Sequence, residues 1–270
     1  MSVLNNGVNS VNKTFENKSA LVTGASGAIG GAICEELLKN GIKYLAVLDM
    51  NSQEPKILSD WKKTYPSVSI KYFQVDVTSH EELEKCFSEF TKTIPSLDIV
   101  VNCAGIFDES LYRKVLEVNL IGVIACTSLA TEHMKINKGN EGSRIILNVS
   151  SAAGLIPFST FPTYSASKHG VVAYTRAVAH GLRDLGIKFL NLCPGATESK
   201  LLVKNYIKDY TAIASQEELD AKKQAMMALI QSPSVVSRAA VKIMQEGENG
   251  STWVVKCGEL TESVLPEVRF

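Results

Sequence analysis

The sequence has no excess of either charge: 28 Lys and Arg stand against 28 Asp and Glu. A chain without a net field has little to draw it to nucleic acid or to an anionic membrane, and a small neutral partner fits it better. A leader is missing too. The opening MSVLNNGVNSVNKTFENK has neither a basic stretch nor an apolar one behind it, and no run of about 18 apolar residues follows. The expectation is a cytoplasmic protein outside the membrane, and without a secretory route the sequons at Asn12, Asn17 and Asn148 carry no weight. The six cysteines (Cys34, Cys86, Cys103, Cys126, Cys193 and Cys257) form no Cys-x-x-Cys pair and sit mostly in apolar surroundings. That argues for free thiols in a reducing compartment, against disulfides or structural zinc. His80, His133 and His180 have no metal-ligand spacing among themselves, so no metal is assigned.

Core material is plentiful. Apolar residues make up 45% of the 270 and charged ones 21%, and the length suits a single α/β domain. Residues 1–16, rich in Asn, Ser and Val without period, read as a flexible N-terminal extension to one domain over 17–270. Short β-rich runs at 19–23, 44–49, 69–75, 97–101, 143–149 and 187–192 alternate with helical patterns near 27–40, 81–90, 111–136 and 162–185. A helix near 233–246 and a strand at 251–256 close the series. The alternation predicts right-handed βαβ units in a doubly wound parallel sheet of about seven strands, with helices on both faces. The polar stretch at 196–231 breaks the rhythm. It leaves the carboxyl end of a central strand, where open sheets bind ligands, so it is the candidate substrate lid; otherwise its charge is a solvated face.

The first strand runs into Thr23-Gly24-Ala25-Ser26-Gly27-Ala28-Ile29-Gly30 and then a helix. Glycine lets the backbone turn there and approach a ligand, while the free N–H groups and positive end of the helix favour a pyrophosphate. Asp49 ends the second strand 25 residues after Gly24, placed to accept the hydroxyls of an adenosine ribose. A 2′-phosphate would meet like charge, and neither Met50 nor Asn51 supplies a cation, so NAD is expected in preference to NADP.

Asn148-Val-Ser-Ser151 is followed thirteen residues later by Tyr164-Ser-Ala-Ser-Lys168. Tyr164 and Lys168, at i and i+4 of a helix, share a face. A phenol titrates too high to act as a base at neutral pH. A cation about 4 Å away at an effective dielectric of about 20 supplies roughly 4 kcal/mol, or about three pKa units, which would poise Tyr164 as a general base. Alone, the same spacing suits a snorkelling surface pair. The nucleotide turn upstream favours the catalytic reading.

Over roughly residues 17–256 these pieces resemble the short-chain dehydrogenase/reductase family. The motifs are Thr23-Gly24 through Gly30, Val75-Asp76-Val77, Asn102-Cys103-Ala104-Gly105, Asn119 in Val-Asn-Leu, Ser151, Tyr164 with Lys168, and Pro194-Gly195. Within the family, Tyr164 through Gly170, Leu192-Cys-Pro-Gly195 and the closing Asn249 through Trp253 are similar to NAD-linked 15-hydroxyprostaglandin dehydrogenases and insect-type alcohol dehydrogenases. The resemblance implies a single Rossmann-type domain in which Tyr164 is the acid/base and Ser151 orients the substrate oxygen. It makes Lys168 lower the pKa of Tyr164 and hold the nicotinamide ribose, and it gives Asn119 a water in a proton relay. For the cofactor it implies Gly24, Ser26, Gly27, Ala28, Ile29 and Gly30 at the pyrophosphate, Asp49 and Met50 at the adenosine ribose, and Asp76 and Val77 at the adenine. Asn102, Ala104 and Gly105 would pass under that ribose; after Pro194 and Gly195, Thr197 would anchor the carboxamide, with Ser199 on the phosphate side. Two residues depart from the family pattern: Ala28 replaces the second Gly of the turn, and Ser199 stands where many members have Thr.

The function expected is transfer of a hydride from a small lipophilic primary or secondary alcohol to NAD. A carbonyl reductase running the reverse reaction is one rival, and a non-catalytic NAD-binding paralogue is another. Asp49 argues against the first, and the intact set of Asn119, Ser151, Tyr164 and Lys168 against the second. Ala152, Phe158, Phe161, Leu201 and Leu202 are expected to line an apolar pocket. His169 points about 100° away from the Tyr–Lys pair and is left to packing or an interface. Ala166, Gly170, Ala173 and Ala177 form a stripe of small residues that suits either a homodimer or homotetramer contact or close packing against the sheet.

Overall fold

The computed structural model describes residues 2–3, 14–136, 144–199, 224 and 229–268. Its frame is one nine-stranded sheet. The strands are β1 (Ser2–Val3), β2 (Ser19–Thr23), β3 (Tyr44–Asp49), β4 (Ser69–Gln74), β5 (Ile99–Asn102), β6 (Arg144–Val149), β7 (Ile187–Pro194), β8 (Thr252–Lys256) and β9 (Glu259–Glu262). The helices are α1 (Ala28–Lys39), α2 (Lys56–Thr64), α3 (His80–Thr91), α4 (Tyr112–Leu116), α5 (Gly122–Ile136), α6 (Pro162–Gly181) and α7 (Pro233–Glu246).

The strands stand in the order β1-β9-β8-β7-β6-β5-β2-β3-β4. Strands β2 to β8 pair in parallel, and these are the seven strands the βαβ rhythm predicts. The chain first winds outward from β2 through β3 to β4, then returns to β5 on the other side of β2 and winds the opposite way. The carboxyl ends of β2 and β5 therefore splay around a crevice, which is where doubly wound sheets take a ligand.

Alternation within each strand builds two cores. Ala20, Val22, Ile99, Val101, Ile145, Leu147, Leu190 and Leu192 face one side, packed with Ile33 and Leu37 of α1, Leu58 and Trp61 of α2, and Val236 and Ile243 of α7. Leu21, Val100, Ile146 and Phe189 face the other, packed with Leu83, Phe87 and Phe90 of α3 and with Cys126, Leu129 and Ala130 of α5. The i, i+3, i+4, i+7 spacing of Leu83, Cys86, Phe87 and Phe90 gives α3 its apolar stripe. Ser79 starts that helix by accepting the N–H of Glu82.

Five features differ from the sequence expectation. Helix α2 was not expected: Leu58 and Trp61 are its buried residues, and Lys56, Asp60, Lys62 and Lys63 leave too short an apolar stripe to register as a period. The single helix expected over 111–136 is broken by a π turn at Glu117–Ile121, and α6 stops at Gly181 and passes through a 3₁₀ turn, Arg183–Leu185, to Gly186 in the left-handed region. At the sheet edge β9 pairs antiparallel with β8, and β1 with β9. Most of the expected N-terminal extension lies outside the described residues. Its ends do not behave as a loose tail, because Ser2–Val3 pairs with β9 and Phe15 is buried, its N–H donating to Asn40 O.

Residues 109–135 include a window apolar enough to cross a bilayer by length and composition, yet more than half of that window is buried within the protein. Hydropathy there reflects a core helix. All six cysteines are free.

A row of polar side chains crosses the sheet at one register: Thr23, Asn102, Asn148, Asn191 and Thr252 are successive neighbours on β2, β5, β6, β7 and β8. Asn102 Nδ2 donates to Asn148 Oδ1 at 2.8 Å and to Thr127 Oγ1 at 3.0 Å, and Asn148 Nδ2 donates to Thr175 Oγ1 at 2.8 Å. The row thus ties α5 and α6 to the strands whose ends carry the site. Buried amides of this kind hold register because each must keep its partners.

Candidate active site

Between β2 and α1 the chain makes a tight turn that only small residues permit. Gly24 has φ +65°, and a Cβ there would lie 2.6 Å from Ala104 Cα. A Cβ on Gly30 would lie 2.3 Å from Gly24 O. Gly27 and Ala28 are exposed at the N-terminus of α1, whose first-turn N–H groups present a positive end to an anion. Asp49 closes the adenosine side: its Oδ2 accepts the N–H of Ser26 at 3.0 Å and its Oδ1 accepts Asn51 Nδ2 at 3.0 Å. Oδ1 also accepts the N–H of Asn51 at 3.4 Å; a carboxylate has about four lone-pair sites, so the oriented group keeps capacity for one further hydroxyl. Met50 beside it is 64% exposed. The turn, the helix end and the carboxylate together fit a dinucleotide.

Two expected cofactor contacts take a different form. The Asn102 side chain is spent inside the sheet on Thr127 and Asn148, so only its main chain is left for a ligand. Asp76 Oδ1 accepts the N–H and hydroxyl of Thr78, and Oδ2 accepts Lys114 Nζ at 3.2 Å. Burial works to raise the Asp76 carboxyl, but the bonds from Thr78 and Lys114 prevail and hold it below the usual carboxylate value. Lys114 at this corner had no sequence signal. Val77 is buried, against Gly122, where a Cβ would lie 2.9 Å from the Val77 side chain.

On the other side of the crevice the catalytic candidates converge. Ser151 follows β6 and caps a 3₁₀ turn, its Oγ accepting the N–H of Ala153 at 3.1 Å. Its hydroxyl acts on the phenol of Tyr164 in the first turn of α6, favouring the phenolate. One turn on, Lys168 is buried, its Nζ donating to Val149 O at 3.1 Å and standing 5.7 Å from the centre of the Tyr164 ring. A Cβ on Gly105 would lie 3.6 Å from Lys168 Nζ and 3.4 Å from Asn119 Oδ1, so an exposed glycine keeps this floor open. Asn119 sits in the π turn. Its Oδ1 accepts the N–H of Ile106 at 2.8 Å, and its Nδ2 donates to Ile106 O at 2.9 Å and to Ser167 Oγ at 3.2 Å. It is a clamp on the segment after β5, whatever else it does.

The electrostatics correct one expectation. Burial pushes the Tyr164 phenol up to about 12, with the Ser151 hydrogen bond pulling the other way, and burial lowers the Lys168 ammonium to about 8. The pair argument places both groups in a screened setting; the structure buries Lys168 and half-buries Tyr164, and desolvation of the charged form is the largest influence on each.

The remaining candidates lie along the carboxyl ends of β7 and β8. Pro194 ends β7, and a Cβ on Gly195 would lie 3.1 Å from the Lys256 side chain. Thr197 Oγ1 donates to Gly195 O at 2.9 Å and accepts from Gln231 Nε2 at 3.4 Å. Gln231 is buried and also donates to Val255 O at 2.9 Å, a brace the sequence did not reveal. Ser199 is half-buried. Most of the expected lid over 196–231, with Leu201 and Leu202, lies outside the described residues. Beside Tyr164 stands an aromatic wall: Phe107 lies 4.9 Å from Tyr164 and 5.2 Å from Phe161, and Phe161 stacks on Phe158 at 4.8 Å between ring centres. Phe158 and Phe161 were expected; Phe107 was not. Ala166, Ala173 and Ala177 are exposed, and Gly170 meets Leu120, so the small-residue stripe does not pack against the sheet. His169 is occupied by the carbonyl of Ser165 at 2.9 Å.

A sheet of this order with a glycine turn at one end of its crevice and a Ser–Tyr–Lys cluster at the other defines a dinucleotide-linked oxidoreductase. The short chain dehydrogenase family model matches residues 18–210, and the chain belongs to that family. Human 15-hydroxyprostaglandin dehydrogenase [NAD(+)] is 38% identical over 190 residues, 68% of this chain and 70% of that protein. Alcohol dehydrogenase 1 of Ceratitis cosyra is 28% identical over 256 residues, 93% of this chain and 96% of that one. Among solved structures, an NAD+-bound xylitol dehydrogenase superposes with a TM-score of 0.78 at 21% identity, over 90% of this chain and 98% of that one.

Proposed function

We propose that the protein oxidises small lipophilic primary or secondary alcohols with NAD. The observation that carries the reading is the buried Lys168 ammonium 5.7 Å from the Tyr164 ring, with the Ser151 hydroxyl favouring the phenolate. Bound NAD supplies the hydride acceptor. Gly24, Ser26, Gly27, Ala28, Ile29 and Gly30 would hold its pyrophosphate, Asp49 and Met50 its adenosine ribose, and Thr197 and Ser199 its other end. As the phenolate, which the charge of Lys168 Nζ would favour, Tyr164 Oη would take the alcohol proton while Ser151 Oγ fixes the alcohol oxygen. Asn119 keeps one acceptor site on Oδ1 for a water leading the proton outward. Phe107, Phe158 and Phe161 form an aromatic wall beside Tyr164, which supports a lipophilic substrate. The naming of the human relative for NAD supports the choice of cofactor, as does the carboxylate of Asp49. The outward face of Ala166, Ala173 and Ala177 suits a second copy of the chain.

The test is NADH formation by the full chain over a panel of aliphatic, aromatic and hydroxy-fatty alcohols, with NADP in parallel. Tyr164→Phe should cut turnover by about 10³-fold or more while the NAD dissociation constant stays within about twofold, since only the proton-transferring oxygen is lost. Turnover within tenfold of the parent, or NADP used as well as NAD, would refute the reading.

A further inference from the structure

Helix α6 carries Tyr164 yet has no cap of its own: Phe161 precedes it without a side-chain hydrogen bond, and Pro162 opens it. Proline brings no N–H, so Thr163 and Tyr164 are the first donors that need partners. They find them more than fifty residues away in sequence. Glu109 Oε2 accepts the N–H of Thr163 at 3.0 Å, and Glu109 Oε1 accepts the N–H of Tyr164 at 2.9 Å. Glu109 ends a four-residue strap held at both ends. Ile106 is clamped through its N–H and its carbonyl by Asn119, and Phe107, 6% exposed, packs on the Tyr164 ring.

We propose that Glu109 is a positioning residue for the reaction: its carboxylate holds the first turn of α6 and so fixes the Tyr164 phenol beside Ser151. A serine or aspartate at 161 would cap the helix equally well, but would leave it untied to the strap. The remote carboxylate does both, and one of its two bonds is to the backbone of the acid/base itself. The negative group also suits the positive end of α6. The proposal rests on the reading of Tyr164 as the base. It adds that the place of the phenol is set from β5 and the π turn as well as from α6.

The test compares Glu109→Ala, which removes both acceptors, with Glu109→Gln, which keeps one, in the NAD-saturated full chain. Turnover of the fastest alcohol on the panel is normalised to NADH-binding sites counted by fluorescence titration, so unfolded protein does not enter. Glu109→Ala should lose about tenfold or more in kcat per site, as small misplacements of reacting groups do, with the NAD dissociation constant within about twofold. Glu109→Gln should recover a large part of that loss. The groups facing the phenol are Ser151 after β6, Lys168 on α6, Cys103 after β5 and Cys193 on β7. Of these, the Ser151 hydroxyl favours the anion, so displacing the phenol from it in Glu109→Ala should move the ascending limb of the rate profile, which the base sets, up by about half a pH unit. A purely structural cap would lower the melting temperature and leave kcat per site and the limb where they were, and that result overturns the proposal. If the parent oxidises no alcohol, the proposed function fails. Glu109 is then read by the tyrosinate absorbance of the protein minus that of Tyr164→Phe, measured with and without Glu109→Ala: an upward shift supports the positioning role and no shift refutes it.

Discussion

Lys168 is placed where its charge is expensive. Burial takes its folded value down to about 8 from 10.5 in the free side chain. The sign follows from proton counts: between those values the unfolded chain binds the proton and the folded one does not, so stability rises with pH across that window. Below about 8 both states carry the charge, and the folded state bears a desolvation cost on the order of 3 kcal/mol. Tyr164 acts oppositely, its folded value raised to about 12, so the stability linked to it is present below pH 10 and lost as pH climbs beyond. Lys168→Met, apolar and of similar length, should therefore melt several degrees above the parent at pH 7, with the gap closing toward pH 10, while losing turnover. Calorimetry at the two pH values checks it; a lower melting temperature at pH 7 would show that the bond to Val149 outweighs the buried charge. The sequence made the shared face of Tyr164 and Lys168 legible through their spacing. It could not convey their enclosure, which comes from β5, β6 and β7, and so it missed the direction of the Tyr164 shift.

At the scale of elements, α1 tests the one place where the glycine turn departs from its family. Ala28 is the first residue of α1, and Gly27 is its N-cap in extended backbone. Ala28 is exposed at the helix end that would meet a pyrophosphate; if its methyl crowds that anion, Ala28→Gly should tighten NAD binding by about threefold while costing about 0.5–1 kcal/mol through added freedom of the unfolded chain. Isothermal titration and cofactor-free melting separate the two effects. A level or weaker dissociation constant would mean that Gly27 makes the close approach; a Cβ there would already lie 3.1 Å from Gly24 O. Elements with long apolar periods, such as α3 and α7, could be placed from sequence within a residue or so. Helix α2 offered two apolar positions, and the π turn around Asn119 offered nothing, because one extra residue in a helical ladder changes no pattern that side chains advertise. Glu109 was hidden for a related reason: a cap supplied from another element has no local spacing.

For the whole molecule, the polar row from Thr23 to Thr252 binds the two halves of the sheet to α5 and α6 at the level just beneath the site. Replacing Asn148 with Leu takes one partner from Asn102 Nδ2, which keeps Thr127, and one from Thr175 Oγ1, which keeps Val171 O, so a loss of about 1–3 kcal/mol is expected. Asn102→Leu alone should cost a similar amount, and the double variant less than the sum, because one loss is shared. Urea unfolding of the four proteins measures this; strict additivity would show that the amides act separately. The seven parallel strands were legible because each is an apolar run between helical patterns. Strands β9 and β1 were not, since Glu259–Glu262 is polar and mostly exposed, and Ser2–Val3 is too short to carry a pattern.

The pairing of Thr197 with Gln231 has a wider consequence. Ala196 O accepts the N–H of Gln231, and Gln231 O accepts the N–H of Glu198, so the chain just after β7 is clasped by two backbone bonds to the chain just before α7. Whatever is strung between those points is spliced in at one address. The clasp fixes both ends of that interval without drawing on the residues between them, so replacing the interval by a relative's should leave the melting of the parallel sheet near its parental value.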